Sequence, residues 1–418
     1  MTEELQPAQT LKEAYRYLDP LRPLQGEWLA SFYVERSPDS RVDLLLDELL
    51  LDDSEDDKTL FTAQQGAGET TELYRLSQAL RDSHIPIFIN TEETINLGDV
   101  HYTDLLVMLG LEVYREARNR GISADDQKVR DLLFWYEEHI LEQDESQRLQ
   151  SELSGEVNLG VVRFGARLAQ ESPLREIVRA KTEPKLSDLL TRLNDLLTDL
   201  RQRFNQRILV VVDGLDKIYD LQQVVNLFLH GANALMAPTC RIIYTIPFPL
   251  FYSLDFQQVR QQFHRNFLLP NVKIRERNGE PYPPGKDMLR QVILRRVHED
   301  LIAPEALETL IEASGGLLRE LLRLARFAVI SARRRGDTRI APDDVAYARR
   351  EVRNTFRRIL KMEDYQYLWK VRETKQLDAL PPDVADKLLH NLSVLEYDTE
   401  TWWDVHPVVS DLLKEESR

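Results

Sequence analysis

Apolar positions in this chain alternate between short unbroken runs and a helical spacing of three and four. The runs predict buried strands over residues 59–62, 84–90, 207–213, 239–246 and 266–274. The helical spacing predicts amphipathic helices over 42–51, 70–81, 101–118 and 186–204. Strands that alternate with helices argue an α/β fold built on a parallel sheet. The order predicts a three-layer core over residues 59–280, after an N-terminal arm and helix over 1–58. A polar, charged insertion at about 119–184 carries no recognisable site spacing and reads as a peripheral helical hairpin. Beyond the turn-rich stretch Gly279 to Gly285 the pattern is purely helical, with helices expected over 288–301, 303–313, 317–335 and 342–360. That is a small helical lid, 281–361. The last part, 362–418, has a short helix at 382–391, two alternating β-runs between Leu392 and Val405, and a closing helix from Val408. Helices followed by a hairpin outline a winged helix.

Charge refines this picture. The formal net charge is −16, which disfavours non-specific binding of nucleic acid by the whole molecule. The lid departs from it. Residues 319–361 hold 13 Lys or Arg and 5 Asp or Glu, a local +8 that leaves −24 elsewhere. The expected wing carries Glu396, Asp398, Glu400 and Asp404 and no base, so DNA contact there is disfavoured. Basic lid and acidic core are expected to pack against each other, within or between subunits. One Cys excludes a disulfide framework, the N-terminus is polar, and no apolar run approaches the length of a bilayer span, so a cytoplasmic protein is expected.

The candidate chemistry centres on Phe61 to Leu73. A strand runs into Gly66-Ala67-Gly68 and then into a helix, the geometry in which backbone N–H groups and a helix N-terminus hold a polyphosphate. The pattern G-x-x-x-x-G-K-[ST] is nearly complete. Ala63 stands at the first Gly and Glu69 at the Lys, while Thr70 and Thr71 follow. Downstream, Ile208 to Val212 ends in Asp213-Gly214-Leu215-Asp216. A carboxylate at the C-terminal end of a central strand lies where open α/β sheets bind ligands. Asp213 is then a Mg²⁺ ligand with the Thr70 hydroxyl, and Asp216 orients a water; alternatively both cap the following turn. Tyr33-Val34-Glu35-Arg36 either borders a nucleotide base or belongs to a packing arm. His390 and His406, near Trp402 and Trp403, read as core or hairpin-end histidines rather than ligands.

These stretches together resemble the P-loop ATPases of the AAA+ and STAND classes, particularly bacterial members with an origin-recognition-like layout. Residues 62–73 resemble Walker A, 209–217 Walker B, and 241–246, with Thr245, sensor one. Residues 315–322 resemble the sensor-two helix and 395–409 the winged helix. The resemblance implies ATP and Mg²⁺ between core and lid. It implies Arg319 as a γ-phosphate sensor, with Arg265 a candidate finger for a neighbouring subunit. Gly66, Ala67, Gly68, Glu69, Thr70 and Thr71 would surround the phosphates. A Lys at position 69 would attract them. Two charges 4 Å apart at an effective dielectric of 20 are worth about 4 kcal/mol, and Glu69 turns that attraction into repulsion. The expected function is therefore a nucleotide-controlled regulatory switch with impaired hydrolysis. It would act with a separate effector, or as a homo-oligomer, in signalling or anti-phage defence, as relatives of this type do. The alternatives are a DNA-binding regulator or loader and a catalytically dead scaffold.

Overall fold

The computed structural model describes residues 5–36, 41–123, 126–139, 167, 170–378, 380–397 and 401–416. The glycine- and valine-rich stretch of the insertion and the acidic positions Asp398 and Glu400 lie outside them. The chain forms two compact units. The first comprises Met1–Asp47, Ala63–Leu76 and Leu268–Arg418, and the second Glu48–Thr62 and Ser77–Phe267.

The second unit holds a five-stranded parallel sheet. Its strands are β1 (Lys58–Ala63), β2 (His84–Asn90), β3 (Arg207–Asp213), β4 (Arg241–Thr245) and β5 (Arg265–Leu269), in the order β2-β3-β4-β1-β5. β3 is an interior strand between β2 and β4, buried from Ile208 to Asp213. Its β-branched run suits a strand covered on both faces. Parallel pairing sets Asn90 beside Asp213 and Phe61 beside Thr245, so the polar ends of these strands share one edge. Three long helices of this unit are α5 (Tyr102–Asn119), α6 (Gln127–His139) and α8 (Leu186–Phe204), with α7 (Ser172–Thr182) between the last two. Leu189, Leu193, Leu196, Leu197 and Leu200 form the buried stripe of α8. They share one core with Val210, Val212, Ile242 and Tyr244. This is an α/β fold with the strand, glycine loop and helix of a P-loop NTPase core. α6 and α7 lie in the insertion, and Val129, Leu132, Trp135, Leu174 and Val178 from them join the same core.

In the first unit the N-terminal arm forms α1 (Leu11–Tyr17), α2 (Gly26–Phe32) and the start of α3 (Val42–Leu51), and α4 (Glu69–Ala79) opens there. The lid helices are α9 (Pro283–Leu294), α10 (Pro304–Ser314), α11 (Leu318–Arg335) and α12 (Pro342–Ile359). Next come α13 (Met362–Thr374), α14 (Pro382–His390), the antiparallel hairpin β6 (Val394–Tyr397) with β7 (Trp402–Val405), and α15 (Pro407–Glu416). Leu395, Tyr397 and Trp402 pack on Leu317, and the Tyr397 hydroxyl donates to the Gly315 carbonyl at 2.6 Å.

Two boundaries differ from expectation for the same physical reason. β5 stops at Leu269, well short of 274, because Pro270 offers no N–H to a ladder. α9 begins at Pro283, earlier than 288, because Pro at the first helical positions loses nothing and has its φ preset. The basic lid finds its acids within its own unit. Arg353 reaches Glu415 at 2.7 Å, Arg349 pairs with Asp411, and Arg326 meets Asp19 at 3.1 Å. His406 is fully buried beside Phe356, a core histidine. Among the described residues no helix is long and apolar enough to cross a membrane.

Candidate functional site

The glycine loop lies in the first unit, and its shape depends on the two glycines. Gly66 has φ +93° and Gly68 φ +102°, a region that side chains with a Cβ rarely adopt. Both also admit close neighbours. A Cβ on Gly66 would lie 2.7 Å from the Arg319 Cβ, and one on Gly68 would lie 2.8 Å from the Leu318 Cδ1 and 3.0 Å from the Arg36 Nη2. The Gly66 carbonyl accepts the Arg319 backbone N–H at 3.0 Å. The group that approaches this loop is therefore the start of α11, with a guanidinium from the arm beside it.

Arg36 is the cation of the loop. Its Nε donates to Glu72 Oε1 at 2.9 Å, its Nη1 to the Pro270 carbonyl at 3.2 Å, and its Nη2 to the Ala67 carbonyl. The Arg36 and Glu72 side chains are each 3% exposed. Glu72 also accepts from Arg75 Nε at 3.0 Å and from the Tyr33 hydroxyl at 3.2 Å. Burial, then the Glu72 charge, pushes the Tyr33 phenol well above its ordinary pKa. The segment 33–36 thus reaches the loop, where Tyr33 and Arg36 both serve Glu72. The carboxylates at the start of α4 suit a helix N-terminus: Glu69 and Glu72 occupy its first turn. Glu69 and Thr70 are half-buried. Thr71 Oγ1 accepts the Leu24 N–H at 3.1 Å, which ties the arm to α4.

Gln64 connects the loop to the hairpin. Its Nε2 donates to the Val394 carbonyl at 2.9 Å, and its Oε1 accepts from the Glu396 N–H at 2.8 Å and from Asn271 Nδ2 at 2.5 Å. Asn271 Nδ2 also donates to the Glu396 carbonyl at 3.0 Å. All four residues are buried. Sequence reasoning did not single out Gln64 or Asn271, since their partner strand is more than 120 residues away from each.

The other expected residues lie in the second unit. Asp213 ends β3 and is 5% exposed; its carbonyl accepts the Thr91 hydroxyl at 2.8 Å. Asp216 is half-buried in the turn after Gly214. The Thr245 hydroxyl accepts the Leu215 N–H at 3.0 Å and, more weakly, the Asp216 N–H at 3.4 Å. Thr245 therefore holds the turn bearing Asp216, and β3, β4 and this turn bring Asp213, Asp216 and Thr245 to one end of the sheet. Arg265 pairs with Asp52 and Asp57 inside its own unit, so its guanidinium is engaged there.

These residues, as arranged, do not fit a Mg²⁺–triphosphate in the loop. One face of each glycine is covered by Leu318, Arg319 and Arg36. The position that would carry the ammonium carries a carboxylate. The arm's guanidinium is committed to Glu72 and two carbonyls. The donor set is that of a loop packed onto its own chain.

No known protein-family profile matches the chain, and no curated protein does. Solved structures do align along nearly its whole length. One is the ORC2 protein of Aeropyrum pernix in ADPNP–ADP complexes, at 13% identity and TM-score 0.43, covering 96% of this chain and 98% of that one. Another is the Aeropyrum pernix ORC1 protein in complex with DNA, at 12% and 0.43, covering 96% of each. A third is the RuvB Holliday junction branch migration motor of Thermotoga maritima, at 12% and 0.40, covering 95% of this chain and 98% of that one. The fold assignment rests on the sheet order and the loop described above, not on these likenesses.

Proposed function

We propose that this protein is a regulatory switch on an ATPase frame, one that does not turn ATP over. The observation that carries the reading is the cover over Gly66 and Gly68 by Leu318, Arg319 and Arg36. In a working phosphate loop the glycines let the backbone approach a ligand. Here they let it approach α11. Gln64 then extends the same loop to the hairpin and Asn271, so four separate segments of the first unit meet on five residues. A change in the loop is expected to be felt in the lid helix and the hairpin, the behaviour of a switch whose output is a conformation.

Glu69 supports the same reading. It leaves the loop without the charge that holds β- and γ-phosphates, and Arg36 cannot serve in its place while it neutralises Glu72. Within the second unit, Asp213, Asp216 and Thr245 remain the residues to which catalysis would fall. Purified protein incubated with ATP and Mg²⁺ is expected to release no phosphate above the buffer rate. Steady turnover on the order of 1 s⁻¹, the lower end of ordinary enzymes, that Asp213→Asn abolishes would overturn the proposal.

A further inference from the structure

α11 begins at the glycine loop and ends beside α1 in a groove of about 540 Å³. Its floor is apolar, formed by Leu11, Tyr15 and Ile330, and its rim is basic, formed by Lys12, Arg333 and Arg334. No acid lines it. The remaining arginines of α11 beyond Arg319 have carboxylate partners: Arg323 meets Glu320 at 3.0 Å, Arg326 meets Asp19 at 3.1 Å and Arg335 meets Asp344 at 2.7 Å. Lys12, Arg333 and Arg334 are exposed, and none has an ion-pair partner among the described residues. In a chain of net charge −16, this places unneutralised cations around one apolar pocket.

The complementary surface is on the same chain. α3 reads Val-Asp-Leu-Leu-Leu-Asp-Glu-Leu-Leu-Leu and buries Val42, Leu45 and Leu49. Its outer face shows Leu44 at 45% and Leu51 at 82% exposure, seven residues and hence two turns apart, with Asp47 and Glu48 exposed between them, Glu48 lying 3.8 Å from Arg265. An acidic rim around exposed leucines is what the groove lacks. We propose that the groove of one copy receives α3 of a second copy. The contact is head-to-tail, since groove and α3 are different surfaces, so each copy keeps one free face and association continues until a ring closes or a filament forms. It is independent of what the glycine loop binds. The interaction is charged and exposed, so salt weakens it.

The test is light scattering and sedimentation of the full chain across a concentration series, at about 0.05 M and about 0.5 M salt. Wild type is expected to grow beyond a dimer at the lower salt and to dissociate at the higher. Arg333→Glu/Arg334→Glu blocks the groove and leaves α3 intact. Asp47→Arg/Leu51→Arg blocks α3 and leaves the groove intact. Each variant alone is expected to stay monomeric, and an equimolar mixture to form a 1:1 dimer that grows no further. That recovery also shows both variants folded. A wild type that stays monomeric, association indifferent to either variant, or a mixture that fails to dimerise would each overturn the proposal.

Discussion

Arg36 and Glu72 set the cost of disturbing the loop. The pair is buried and shares its environment with Arg75, Tyr33 and the Ala67 and Pro270 carbonyls. Removing Glu72 strands the buried Arg36 guanidinium, which costs about 3–5 kcal/mol, whereas removing both costs far less; removing Arg36 alone leaves Glu72 its pair with Arg75. Glu72→Gln is therefore expected to lower unfolding free energy by about 3–5 kcal/mol and Arg36→Gln/Glu72→Gln by clearly less, measured by urea denaturation. Equal losses would mean that the two side chains act independently. At this scale the sequence was legible in part. Gly66, Gly68, Thr70 and the odd Glu69 stand out from their neighbours alone. The segment containing Arg36 was noticed, but not that its guanidinium pairs with Glu72 across 36 positions. Long-range ion pairs leave no periodicity in a sequence.

At the scale of elements, strands and lid helices follow from apolar spacing, because burial of a face dictates it. Their ends follow from backbone chemistry that the spacing does not carry, as Pro270 and Pro283 show. The resemblance to AAA+ ATPases singles out Thr245 at the sensor-one place. Its hydroxyl holds the 214–217 turn, a role visible only once β3 and β4 are paired. The loop-to-hairpin connection has the same character. Gln64 bridges Val394 and Glu396, so its side chain couples two elements distant in sequence. Gln64→Ala should raise amide hydrogen exchange in the loop at 64–68 and in β6 together, since buried backbone groups of β6 lose their partner. Faster exchange in the loop with β6 unchanged would show that the hairpin does not read the loop.

At the scale of the molecule, charge is the organising quantity. The charge pattern sets a basic lid against acidic segments of the chain, and within the first unit α12 pairs with Asp411 and Glu415 of α15, and Arg326 of α11 with Asp19 of the arm. What remains unneutralised on α11 gathers at the groove. The same principle governs the glycine loop, where the arm's guanidinium answers Glu72 rather than a phosphate. On the function proposed above, the loop is closed by the chain's own side chains and lacks the charge to hold a triphosphate. Calorimetric titration of ATP with Mg²⁺ into wild type, Glu69→Lys and Arg36→Gln/Glu72→Gln tests it most directly. Wild type should bind weakly, near the millimolar range, while restoring Lys at position 69 should tighten binding by at least about tenfold, or ~1.4 kcal/mol. The neutralised pair, which frees the loop of Arg36, should tighten it in the same direction. Sub-micromolar binding by wild type that neither variant improves would contradict the account.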